Sequence, residues 1–158
     1  MFRVGTGFDI HRLEEGHELI LGGVLIPSDK GCVAHSDGDA LCHSIIDALL
    51  GAAGFEDIGV QFPNTDPEYK DFSSLVMLRM VNDLLRENDY EIVNIDSTVI
   101  LQTPNLSEYK ERMREQISEA LDLDIWQVNV KAKTAEHLLG ELGRGDAVEA
   151  QSVVMIQK

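Results

Sequence analysis

The chain has 158 residues, 44% of them hydrophobic and 26% charged, proportions that predict one globular domain over residues 1–158 with a substantial core. It carries 28 acidic against 13 basic residues, a net charge of −15. That balance argues against nucleic acid or an anionic membrane as a partner, and it leaves any phosphorylated ligand needing local positive charge.

No stretch reaches the roughly 18 apolar residues of a membrane span. Met1-Phe2-Arg3-Val4-Gly5 lacks the regions of a secretory signal, so the expected compartment is the cytoplasm. Cys32 and Cys42 fit neither a CxxC pair nor a disulfide framework, and two reduced, buried thiols are expected.

Residues 2–11 read as a strand with Phe2, Val4, Phe8 and Ile10 on one face and Arg3, Gly5, Gly7, Asp9 and His11 on the other. Residues 18–26 hold two short apolar runs around Gly22-Gly23, the pattern of a hairpin. Leu41, Ile45, Ala48, Leu49 and Ala52 predict a helix over 38–52, punctuated by Gly51 and Gly54. Residues 55–72, with Pro63 and Pro67, read as loop, and a helix follows over 73–88. Residues 91–102 alternate as a strand, with Val93, Ile95, Ser97, Val99 and Leu101 forming the more apolar, core-facing set. A helix over 107–121 is expected, capped by Ser107. A strand over 126–133, a short helix from about Thr134 and a last strand over 147–157 complete the chain. The fold class is α+β, a mixed four-to-five-stranded sheet with helices on one face.

Three constellations carry chemistry. Asp9 and His11 are alternate residues of a strand, on one face and roughly 6.5–7 Å apart, so both can grip one ion; a merely polar strand face is the plainer alternative. His43 lies on the predicted helix, with Asp47 one turn on at i+4 to hold its second ring nitrogen. One carboxylate, two imidazoles and an open fourth position describe a catalytic zinc site better than a closed structural one. The third constellation is Lys131 to Glu136, at a strand-to-helix junction whose free N–H groups and dipole suit phosphate. There Lys133 and Thr134 add a charge and a hydroxyl, and Glu136 offers oxygen to a hard cation such as Mg²⁺; a capping threonine with a solvated glutamate is the alternative. Polar islands at Asp57-Ile58-Gly59, Phe62-Pro63-Asn64-Thr65-Asp66 and Gln102-Thr103-Pro104 are compatible with turn chemistry alone. The chain has no P-loop, GxSxG elbow or HExxH helix.

Taken in order, GTGFDIHR, AHSDGDALCHSIIDALLGAAG, DIGVQFPNTDP, LQTP, VNVKAKTAE and LGRGDA resemble the methylerythritol cyclodiphosphate synthases over nearly the whole chain. The resemblance implies that 4-diphosphocytidyl-methylerythritol 2-phosphate is cyclised with release of CMP, in the non-mevalonate isoprenoid pathway. It implies that Asp9, His11 and His43 hold catalytic Zn²⁺, and that His35 and Thr134 stabilise the transition state. Substrate contacts would come from Asp9, Ile10, His11, His35 and Ser36, and from Asp57, Ile58, Gly59 and the Phe62 to Asp66 segment. Leu101, Gln102, Thr103 and Pro104, continuing to Leu106, would line a cytosine pocket. Lys133, Thr134, Ala135, Glu136 and Arg144 would meet the phosphates, with Glu136 taking a bridging Mg²⁺ or Mn²⁺. Family members are homotrimers with each active site between two subunits. The chain departs from the common pattern at Asn105, where many members have lysine, and in a Glu136 to Gly143 stretch one residue longer than usual. A zinc phosphoesterase and a non-catalytic trimeric ligand-binding protein are the competing readings.

Overall fold

The computed structural model describes residues 1–158. In chain order the elements are β1 (Phe2–Glu15), β2 (Leu19–Leu21), β3 (Val24–Ile26), β4 (Lys30–Cys32), α1 (Ala40–Ala53), α2 (Ile58–Gln61), a 3₁₀ turn (Pro67–Tyr69), α3 (Ser74–Glu87), β5 (Glu91–Ile100), α4 (Lys110–Leu121), a 3₁₀ turn (Ile125–Gln127), β6 (Val128–Lys133), α5 (Glu141–Arg144) and β7 (Ala147–Gln157). Five strands form a mixed sheet in the order β4-β1-β7-β5-β6, with only β5 and β6 parallel. The parallel pair is joined through α4, as a parallel connection requires. β2 and β3 form a separate hairpin whose turn residues, Gly22 and Gly23, have φ of 59° and 73°. Two consecutive positive φ values at a two-residue turn are the reason both positions are glycine. No helix is long and apolar enough to cross a membrane.

The helices cover one face of the sheet, and α1 lies closest to it. A Cβ on Gly5 would stand 2.0 Å from the Ala48 carbonyl, and one on Gly7 would stand 1.8 Å from that of Ser44. The helix backbone therefore rests directly on β1, which fixes where the first turn of α1 sits above the strand. α1 is buried on nearly all sides, with Leu41, Ile45, Ile46, Leu49 and Leu50 fully enclosed between sheet and neighbouring helices. Asp39 caps it by accepting from Cys42 N at 2.9 Å, and the same carboxylate takes Gly22 N and Gly23 N, at 2.9 and 2.7 Å. One buried carboxylate thus pins the hairpin to the helix start. Where Ser44, Ser97 and Ser152 meet inside the core, their hydroxyls bond one another at 2.7 and 2.8 Å.

The other face of the sheet is uncovered by this chain, and it carries the apolar set of β1: Phe2, Val4, Phe8 and Ile10 are 49–66% exposed. Val153 of β7 is exposed beside them. On β5 the expected core set holds for Ile95, Ser97 and Val99, but not for Val93. An irregularity between Ile92 and Asn94 shifts the register, so Ile92 takes the buried place.

Three local expectations are corrected. The 55–72 loop contains α2 and a 3₁₀ turn, both started by aspartate side chains that cap backbone N–H groups. α4 starts at Lys110 with no side-chain cap, because the Asn105 side chain holds Ser107 N at 2.8 Å in a turn that precedes the helix. No helix starts at Thr134: Glu136, His137 and Leu139 have φ of 53°, 58° and 62°, left-handed values no right-handed helix accepts. The helical turn waits until Glu141.

Candidate active site

β1 presents Asp9 and His11 toward α1, and the contact of α1 with Gly7 delivers His43 above them. Asp9 Oδ2 stands 2.9 Å from His11 Nδ1 and 3.1 Å from His43 Nδ1. One candidate ligand atom from each residue lies within 4.8 Å of the others. His11 Nδ1 is buried and, although close to Asp9 Oδ2, is not aligned to form a hydrogen bond with it or with any other group. A buried nitrogen left without a partner is costly, and a divalent cation among the three would use its lone pair, so the residues fit a metal ion. Burial pushes the Asp9 carboxyl up, but the adjoining imidazoles of His11 and His43, the latter hydrogen-bonded to it, outweigh burial and hold the group below the usual carboxylate range. Burial alone would lower His43; the hydrogen bond and charge of Asp9, with the charges of Asp39 and Asp37, raise it instead.

The remote side of His43 departs from expectation. Asp47 does not reach the ring; its carboxylate accepts from Ile58 N at 3.1 Å and ties α2 to α1. The second ring nitrogen, Nε2, meets Ser74 Oγ at 2.8 Å, with Ser36 Oγ farther off at 3.3 Å. Ser74 Oγ donates in turn to Asp37 Oδ1, and Ser74 N donates to Asp37 Oδ2 at 2.9 Å. Ser74 was invisible to pattern reading because it is simply the first residue of a helix. Asp37 sat unassigned inside the HSDGD motif.

A cavity of about 290 Å³ opens at the triad, lined among others by His35, Ser36, Ile58, Gly59, Phe62 and Asn64. The DIG and FPNT islands therefore converge on Asp9, His11 and His43. His35 is steadied by the Asp66 carbonyl at 3.3 Å from its Nε2. Asp57 and Asp66 use their carboxylates to cap Val60 N and Glu68 N, at 3.1 and 2.9 Å. Pro63 and Thr65 lie in the turn between α2 and the 3₁₀ segment and do not line the cavity. Ile10 points away from it, onto the open face of the sheet, where its side chain is half exposed; only its backbone is on offer to the cavity. Cys32 and Cys42 are free and buried; burial pushes the Cys32 thiol up to about 12 and raises that of Cys42 well above the usual thiol range, so neither acts as a nucleophile.

The rest of the expected site lies elsewhere on the chain. Leu101, Gln102, Thr103, Pro104, Lys133 and Thr134 line a second cavity, of about 280 Å³, that shares no residue with the first. In the sheet Asp9 pairs with Ala150, Ala150 with Val99, and Val99 with Ala132. Three strand steps of about 4.8 Å thus put Lys133 and Thr134 roughly 14 Å from the triad row. Thr134 Oγ donates to the exposed Glu136 carboxylate at 3.2 Å and accepts from Glu136 N at 3.3 Å, a tight turn in place of the expected helix start. Ala135 is buried against Leu142 and Ala147 and offers no side chain to either cavity. Arg144 is held by Glu141 at 2.9 Å and faces Asp146 at 3.6 Å, beside Thr103 and Pro104 on the far side of their loop.

With that geometry in place, comparison with known proteins is specific. A model of the YgbB family matches residues 2–157. A 2-C-methyl-D-erythritol 2,4-cyclodiphosphate synthase of Caldicellulosiruptor bescii is 53% identical over 156 residues, covering 99% of each chain. Among solved structures, the bifunctional IspDF of Campylobacter jejuni superposes with a TM-score of 0.94 at 43% identity, over 99% of this chain and 42% of that longer one. The CDP complex of IspF from Plasmodium falciparum gives 0.85 at 37% identity, over 98% and 95% of the two chains. Over essentially its whole length the chain belongs to the YgbB family, that of the 2-C-methyl-D-erythritol 2,4-cyclodiphosphate synthases.

Proposed function

We infer that this chain, as one catalytic domain, converts 4-diphosphocytidyl-2-C-methyl-D-erythritol 2-phosphate to 2-C-methyl-D-erythritol 2,4-cyclodiphosphate and CMP. The observation that carries this reading is the Asp9–His11–His43 triad, with His43 buried and the other two half-buried, opening into a cavity walled by the His35, DIG and FPNT segments, in a chain 53% identical to a synthase of that name. In the reaction an oxygen of the 2-phosphate bonds to the β-phosphorus. The bond from that phosphorus to the bridging oxygen breaks, and its electron pair leaves with CMP. The attacking oxygen is already anionic, so the chain needs no strong base beside it. What it must supply is a fold for a flexible polyanion, an entropy problem worth up to about 7–11 kcal/mol in well-oriented intramolecular reactions.

Each part of the chain has a share in that task. Asp9, His11 and His43 would hold Zn²⁺, and Glu136 a Mg²⁺ or Mn²⁺, cations that when bound supply Lewis-acid charge to the diphosphate on a protein of net charge −15. His35, fixed by the Asp66 carbonyl, and Ser36 would orient the methylerythritol phosphate against Ile58 and Gly59. Asp57, which caps the helix bearing Ile58 and Gly59, and the Phe62 to Asp66 segment, through Phe62 and Asn64, would complete that wall. The cavity of Leu101 to Pro104 suits the cytosine, and the CDP complex of the Plasmodium relative supports a nucleotide subsite. Lys133 and Thr134 at its edge would face the diphosphate, with Thr134 bearing charge that develops as CMP leaves; Arg144 would first have to exchange its Glu141 contact for phosphate.

The two cavities and the uncovered apolar face of β1 support a homotrimer, in which one subunit's triad works with a neighbour's Thr134. The substrate, a polyanion that cannot diffuse across a bilayer, fits a cytoplasmic enzyme. Incubation with the cytidylylated substrate should release CMP in step with a product whose two phosphorus atoms are linked to each other. CMP release with an open-chain bisphosphate would convert the reading to hydrolysis.

A further inference from the structure

We propose that Ser74, backed by Asp37, is a positioning residue that sets which nitrogen of His43 carries its proton and so prepares Nδ1 for the metal. This rests on the reading of Asp9, His11 and His43 as metal ligands. Ser74 is fully buried at the start of α3, and its hydroxyl has a single proton to give. That proton goes to Asp37 Oδ1, because an ionised carboxylate only accepts. Asp37 is kept in place by two backbone donors, Ser74 N at 2.9 Å and Asp39 N at 3.1 Å. Ser74 Oγ can therefore only accept from His43 Nε2, 2.8 Å away. The ring must keep a proton on Nε2, so Nδ1, which meets Asp9 Oδ2 at 3.1 Å, is the nitrogen that gives up its proton and turns its lone pair to a metal. Ser36 Oγ, at 3.3 Å, is a poorer partner, and Asp47 is committed to Ile58 N. The relay spans the HSDGD segment, α1 and α3, so it also couples the wall of the cavity to the ligand it orients.

The relay can be tested by metal binding without any turnover. Zinc affinity of the full-length enzyme is measured by competition with a chromophoric chelator, and the melting of each metal-free variant is recorded alongside. Ser74→Ala should weaken zinc about 10- to 100-fold, the range found when such outer partners are removed. Ser74→Thr, which keeps the hydroxyl, should restore most of it. Asp37→Asn should disturb the relay: Oδ1 accepts from Ser74 Oγ and Asp39 N, and Oδ2 from Ser74 N, so an amide nitrogen at either place sets donor against donor and loosens the hold of Ser74 on His43 Nε2. Zinc should again weaken about tenfold or more, with packing intact. Wild-type zinc affinity, within twofold, in a folded Ser74→Ala or Asp37→Asn variant would overturn the proposal. Were Ser74→Ala not to fold, Asp37→Asn and Ser74→Thr decide it. A wild-type enzyme that bound no zinc would instead remove the ligand reading beneath it, so the two failures are distinct.

Discussion

At the scale of single residues, the triad is a place where protons and a metal compete. In the metal-free state Asp9 is shifted down and His43 up, each favouring the other's charge. His43 is raised above 6.5, so its contribution to stability is complete below 6.5 and fades as pH rises through its folded value. Asp9 is lowered below 3.8, so its contribution is complete above 3.8 and fades as pH falls through its folded value. The ion pair therefore stabilises the metal-free enzyme best between 3.8 and 6.5. On the proposed ligand set zinc would have to displace the proton from His43 Nδ1, so its apparent affinity should fall steadily as pH drops through the raised His43 value. Calorimetric titrations at several pH values should show zinc binding releasing protons below that value and none well above it. His43→Ala should lose zinc and activity together in a chain that remains folded; full zinc occupancy of that variant would remove His43 from the ligand set.

The triad was legible in the sequence because an i, i+2 pair on a strand and a helical histidine are local patterns. The partner of His43 was not. Helical spacing nominated Asp47, but a carboxylate one turn along can turn either way, and here the free N–H of Ile58 captures it. Ser74 lies 31 residues from His43 and enters only through packing of α3 on α1.

At the scale of elements, the decisive contact is α1 on β1. Gly5 and Gly7 are not turn residues; they are where a helix backbone touches a strand, and that contact sets the height of His43 over Asp9. Gly7→Ala would push Cβ to 1.8 Å from Ser44 O and 2.7 Å from Ala48 N, both backbone atoms that cannot swing aside. Overpacking of this kind should cost about 3 kcal/mol or more, which lowers the melting temperature by about 6–12 °C. Zinc affinity should fall with it; a variant that melts and binds zinc like the wild type would show that this contact does not set the site.

Most element positions followed from periodicity, and β7 appears over the expected residues 147–157. The errors fell where polar side chains overrule a repeat. The left-handed residues after Thr134 leave no hydrophobic signal, and the expected helix gives way to a turn built by Thr134 and Glu136.

At the scale of the whole molecule, one chain holds two separate cavities and an uncovered apolar surface. Alternation showed that Phe2, Val4, Phe8 and Ile10 share a face of β1, but it could not show that the opposite, glycine-lined face would be the one under α1. A surface of that kind exposed in isolation marks an association site. Light scattering should report three chains per particle. An Asp9→Ala variant mixed with a Thr134→Ala variant under subunit exchange should regain activity, because some sites then combine an intact triad with an intact Thr134. A monomer in solution, or no recovery after proven exchange, would contradict the composite site.

The work proposed for this chain is to fold a substrate onto itself rather than to activate water. Cyclisation and hydrolysis both release CMP, and they differ only in the attacking oxygen. Carried out in ¹⁸O-labelled water and followed by mass spectrometry, the reaction should yield a methylerythritol product lighter by one water than the open-chain bisphosphate, with no solvent oxygen in it. An open-chain product carrying one labelled oxygen would contradict the account.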